Sequence, residues 1–128
     1  MTYYHAKTVD RPFDDALAAT REALSQEGFG VITEIDIRKT LHAKIGETFR
    51  PYTILGACNP RLAFEALKLE DKVGAMLPCN VVVQQLDDGR VEVAAIDPVA
   101  SMQAIDNPAL TDKAAEVAQK LRAAIDRL

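Results

Sequence analysis

A chain of 128 residues that is 48% hydrophobic and 27% charged has the length and balance of one globular domain, which excludes a disordered or collagen-like chain. The 15 basic and 19 acidic residues leave a net charge of −4, and both halves of the chain are slightly acidic. The basic footprint that phosphate backbones or anionic membranes require is therefore missing, and neither nucleic acid nor membrane is an expected partner.

Tyr3 to Val9 reads as a first strand, rich in tyrosine, threonine and valine. Asp10-Arg11-Pro12 then reads as a helix start, with a capping carboxylate and a proline in the first turn. Phe13, Leu17, Thr20 and Leu24 keep helical spacing through Glu27, and Gly28 stops the helix. Val31 to Ile35 is a β-branched second strand. Asp36 is placed to cap a helix from Ile37 to Ile45 that Gly46 ends. Tyr52 to Ala57 is a third strand, and Asn59-Pro60 restarts a helix with Leu62, Ala63, Ala66 and Leu67 as its apolar stripe.

Two strands, Asn80–Leu86 and Val91–Ile96, flank Asp87-Asp88-Gly89-Arg90 and predict a hairpin. A short helical turn follows Asp97-Pro98, and the last helix aligns Leu110, Ala114, Val117, Leu121 and Ile125 on one face. The order is β-α-β-α-β-α-β-β-α. A hairpin of adjacent strands makes at least part of the sheet antiparallel, so the expected class is a single α+β domain. Ile54-Leu55 and Val81-Val82-Val83 are apolar on both faces of their strands, where a sheet with one wet face alternates. A partner subunit or a ligand site is expected to cover the second face.

Met1 to Lys7 contains no apolar stretch of signal-peptide length, and no run approaches the ~18 apolar residues of a spanning helix. A cytoplasmic location with reduced thiols is expected. Cys58 and Cys79 are too few for a disulfide framework. Both nevertheless fall at element ends, in Cys58-Asn59-Pro60 and Pro78-Cys79-Asn80. A thiol just before a helix N-terminus lies near unsatisfied N–H groups that favour thiolate. Two such ends brought together would form a redox pair or line a ligand site. Alternatively, the cysteines are small core residues and Asn59 is simply a cap.

Glu34 and Asp36 share a face on strict strand alternation and, with Asp97, are the acidic candidates for acid–base work. Tyr52 is placed to line a site at the start of the third strand. His5 and His42 lack metal-ligand spacing, and no nucleotide or nucleophile motif occurs, so no metal or cofactor is called for.

These motifs together resemble one family. Gly28-Phe29-Gly30-Val31 with Thr33-Glu34-Ile35-Asp36 carries the likeness first. Tyr52, Ile54 to Pro60 and Ala66-Leu67 continue it, and Leu77 to Val81 with Asp97-Pro98 complete it. The chain is similar over nearly its whole length to the domain-of-unknown-function family 302, small bacterial and archaeal proteins. The resemblance implies a curved, mainly antiparallel sheet of about five strands with helices on one face, similar to the TATA-binding-protein-like fold, and a homodimer. It carries no activity over. Its signature residues here are Glu34, Asp36, Tyr52, Cys58, Asn59, Pro60, Pro78, Cys79 and Asn80.

Three functional readings follow. The first is a homodimeric small-molecule-binding or thiol-linked module centred on Cys58 and Cys79, with Glu34, Asp36, Tyr52, Asn59 and Asn80 around them. The second is a dimeric interaction or scaffold protein without chemistry, in which the cysteines are structural. The third, a small hydrolase or isomerase using Glu34, Asp36 or Asp97, lacks an activated nucleophile or a paired histidine.

Overall fold

The computed structural model describes residues 2–128. Strands β1 (Tyr4–Val9), β2 (Gly30–Asp36), β3 (Tyr52–Cys58), β4 (Cys79–Gln85) and β5 (Val91–Ile96) alternate with helices. The helices are α1 (Phe13–Gln26), α2 (Ile37–Ile45), α3 (Pro60–Leu69), the short α4 (Pro98–Ser101) and α5 (Pro108–Asp126), and a 3₁₀ turn spans Asp71–Met76.

Short-range chemistry sets most of these boundaries. Asp36 accepts a hydrogen bond from the Lys39 N–H at 2.9 Å to start α2, and Gly46 ends that helix in the left-handed region (φ 68°). Three helices begin with the same pair of devices, a side-chain acceptor followed by proline: Asn59-Pro60, Asp97-Pro98 and Asn107-Pro108. At α1 the expected cap is not made. Pro12 itself takes the cap position without a side-chain acceptor, and Asp14 and Asp15 instead place their carboxylates in the first turn, where the helix dipole favours them. Asp10 therefore caps nothing.

The five strands form one open sheet in the order β1-β5-β4-β3-β2, antiparallel at every junction. The β4–β5 hairpin sits at its centre-left, and α1 carries the chain from the β1 edge to the β2 edge. The helices pack on one side of this α+β sheet. Leu55, Val81, Val83 and Val93 point to that side and are fully buried with Leu24, Leu121 and Ile125. On the opposite face Ile54 and Val82 are half-buried, while Tyr4 and Ile35 are exposed. The doubly apolar strands thus have one face in the core and one open.

A second, smaller core joins Ala66, Val73, Met102, Leu110 and Ala114 where α3, the 3₁₀ turn, α4 and α5 meet. Asn107 ties this region together: its Oδ1 caps α5, and its Nδ2 donates to the Leu69 carbonyl at the end of α3, at 3.0 Å. The gap between the two cores positions the candidate site.

Candidate functional site

A cavity of about 310 Å³ lies between the two cores, beneath α3 and α5 and at the ends of β3 and β4. Its wall is almost wholly apolar. Cys58, Asn59, Pro78 and Cys79 all lie on it, so the structure brings both cysteine motifs to one place. The strand ladder explains how. Cys79 opens β4 opposite Ala57, and Cys58 is the next residue along β3.

Both cysteines are free thiols. Cys79 is 6% exposed, and burial pushes its thiol up from 9.0 to about 11, with the neighbouring Cys58 adding to the effect. At neutral pH burial thus favours the protonated thiol at Cys79. The start of α3 beside Cys58 is already served, because Asn59 Oδ1 accepts from the Leu62 N–H at 3.2 Å. The N–H groups expected to attract a thiolate are thus partly satisfied by the cap itself.

Two glycines shape the surroundings. Gly28 (φ 86°) turns the chain out of α1 so closely that a Cβ there would lie 3.1 Å from Asn59 Nδ2. A Cβ on Gly56 would collide with the Thr33 side chain and come within 2.8 Å of Pro78 Cγ. The Leu77–Pro78 peptide that leads into Cys79 is cis. On the β2 edge the register shifts between Val31 and Thr33, and the bulge turns Ile32 onto the rim of the cavity.

The remaining sequence-derived candidates lie elsewhere. Strand alternation puts Asn80, next to Cys79, on the open face of the sheet. There it shares a shallow groove of about 350 Å³ with Tyr4, Tyr52, Val82 and Gln84. Tyr52 is propped by Phe49, with ring centroids 5.9 Å apart, and Arg50 covers the Phe49 ring and donates to Gln84 Oε1 at 2.9 Å. Glu34 and Asp36 do share a face, opposite Leu55 and Thr53, yet neither reaches the cavity. Glu34 pairs with Arg21 of α1 at 2.6 Å, and Asp36 is occupied as the α2 cap. Asp97 caps α4 and lies 3.7 Å from Arg122. Among the described residues no acidic pair or acid–base couple forms on the cavity wall, and no cluster of three or more His, Cys, Asp or Glu is set to hold a metal ion.

Sequence reasoning missed Lys113, which also lies on the cavity wall. It is the only charged residue there among those described. Its signal was present in α5: Leu110, Lys113, Ala114 and Val117 fall on the buried stripe, so a lysine occupies a core-facing position. Lys113 bridges to Glu65 of α3 at 2.7 Å and lies 3.8 Å from Glu116. Among the described residues no helix is long and apolar enough to cross a membrane.

A family model described as a domain of unknown function, DUF302, matches residues 5–128. The crystal structure of an uncharacterised conserved DUF302 protein from Bacillus stearothermophilus is similar at 30% sequence identity and a TM-score of 0.93. That alignment covers 99% of this chain and 98% of the other. No curated protein matches the chain.

Proposed function

The chain belongs to the DUF302 family, and for this member we propose a small-molecule-binding function seated in the cavity beside Cys58 and Cys79. One observation carries the reading: two cysteine motifs far apart in sequence meet on the wall of a single apolar cavity. Its volume stands at the small end of the ~300–1,000 Å³ typical of ligand sites. The few polar groups on the wall are the thiols, the Asn59 amide and Lys113, which suits a small apolar body fixed by one or two polar contacts.

In this reading the thiols act as soft, polarisable contacts rather than as a redox couple. Burial favours the protonated form of Cys79, and a protonated thiol on an apolar wall packs as a small, polarisable hydrophobe. Octanol is a suitable probe. Saturable shifts of the Cys58, Ala63 and Ala114 amide signals on titration would support the site, and Ala63→Phe, which fills it, is expected to abolish them. Absence of saturable shifts, or shifts unaffected by Ala63→Phe, would remove this function.

The open sheet face favours a second reading, a homodimer that serves as an interaction scaffold. Ile54 and Val82 are half-buried there, beside exposed Tyr4 and Ile35. A stable dimer formed through two such faces needs ~1,200 Å² or more buried in total. Light scattering at micromolar concentration is expected to return twice the 14.0 kDa chain mass. A single-chain mass would eliminate the dimer without touching the cavity.

A further inference from the structure

Building on the cavity reading, we infer that the ligand is a small amphiphilic carboxylate, its apolar body in the cavity and its acid group on Lys113. Apart from the thiols and the Asn59 amide the described wall is apolar, so Lys113, the one charged residue on it, decides which charged end is accepted. Lys113 and its partner Glu65 are each about one-third exposed, at 33% and 35%. They therefore mark the border between cavity and solvent.

The present partner of Lys113 shows the chemistry it takes. Glu65 Oε2 stands 2.7 Å from Lys113 Nζ, a charge-assisted contact between an ammonium and a carboxylate. A ligand carboxylate can take that place without leaving either charge unpaired. Arg61 and Lys68 lie four residues before and three after Glu65 on α3, and so on its side of the helix. They act on Glu65 along with Lys113, which holds the carboxyl below its usual range chiefly through the direct hydrogen bond. A displaced Glu65 thus has two other cations within reach.

Charge and shape agree with this exchange. Lys113 is the one charged residue on the cavity wall among those described, and Glu65, its carboxylate partner, stands beside it rather than on the wall. Ile32 and Leu67 line the cavity while remaining 62% and 43% exposed, and they offer apolar surface to an aliphatic chain passing the rim.

Calorimetric titration with octanoate, octanol and octylammonium tests the head group. Octanoate is expected to bind about tenfold more tightly than octanol, the scale of one charge-assisted hydrogen bond, and octylammonium not measurably. Lys113→Met should erase the advantage of octanoate while leaving octanol unchanged, and Lys113→Arg should keep it. Glu65→Gln removes the competing carboxylate and should tighten octanoate several-fold. That variant conserves size and hydrogen bonding, so it decides the matter even if Lys113→Met fails to fold. Equal affinities for octanoate and octanol, or no tightening in Glu65→Gln, would overturn the acid-group assignment and leave the cavity reading standing. No saturable binding of octanol would overturn both.

Discussion

Alkaline pH should unfold this protein in part through Cys79. The side chain is buried where β4 begins, opposite Ala57. Removal from water opposes its ionisation, and together with the smaller effect of Cys58 raises the thiol from 9.0 to about 11. The unfolded chain keeps the ordinary value. Below pH 9 both states hold the proton and the full contribution to stability is present. As pH rises from 9 through 11 the unfolded state releases its proton first, and native stability falls. At ~1.4 kcal/mol per pH unit the loss approaches about 3 kcal/mol, with roughly 2 kcal/mol reached by pH 11. That is a substantial share of the ~5–15 kcal/mol that holds a domain together. Urea unfolding of wild type and Cys79→Ala at pH 8, 9, 10 and 11 isolates the effect, because tyrosines and lysines titrate alike in both. The wild-type curve should fall toward, and past, that of the variant by about 2 kcal/mol between pH 8 and 11. Curves that stay parallel would refute the argument. Thiol labelling gives a second reading: at pH 8 Cys79 should carry about 100-fold less thiolate than an ordinary thiol and label correspondingly slowly until the chain unfolds.

Gly56→Ala is expected to cost about 1–3 kcal/mol, because the added methyl meets Thr33 and Pro78 from two neighbouring segments at once. A denaturation midpoint equal to wild type would mean that the two segments yield freely. Asn59→Ala should cost about 0.5–2 kcal/mol through the lost α3 cap, whereas Asn59→Asp should retain the cap and most of the stability. Equal losses in the two variants, measured by urea unfolding, would show that the amide nitrogen beside Gly28 matters more than the capping oxygen.

How legible the candidate site was in the sequence varies residue by residue. Asn59 was legible because capping is decided within four residues: its oxygen reaches the Leu62 N–H whatever lies beyond. Cys58 and Cys79 were legible as element ends, and antiparallel pairing of β3 with β4 then brings them together. Asn80 and Tyr52 were grouped with them, yet alternation on the strands carries both to the opposite face. Glu34 and Asp36 were rightly placed on one face, but their partners were not visible. Arg21 reaches Glu34 from α1 only once that helix lies across the sheet. Asp10 failed as a cap because Pro12 took the cap position in the short connection from β1.

What the sequence determines by itself is the alphabet of elements. Asp36, Asn59 and Asp97 start helices, Gly28 and Gly46 end them, and Gly89 (φ 89°) closes the hairpin. Each of these acts through bonds and dihedrals a few residues long. Periodicity adds which side of each element is apolar, and hence the α+β class. The strand order, with β1 beside β5 and β2 at the far edge, is decided only when the helices pack on one side. The cavity is a product of the same step. Its wall comes from α3, α5 and the ends of β3 and β4, and a space between elements belongs to none of their sequences. Lys113 stands as the clearest instance. On the helical pattern it is a lysine interrupting an apolar stripe, and it becomes a charge at the mouth of a cavity only when α3 brings Glu65 against it.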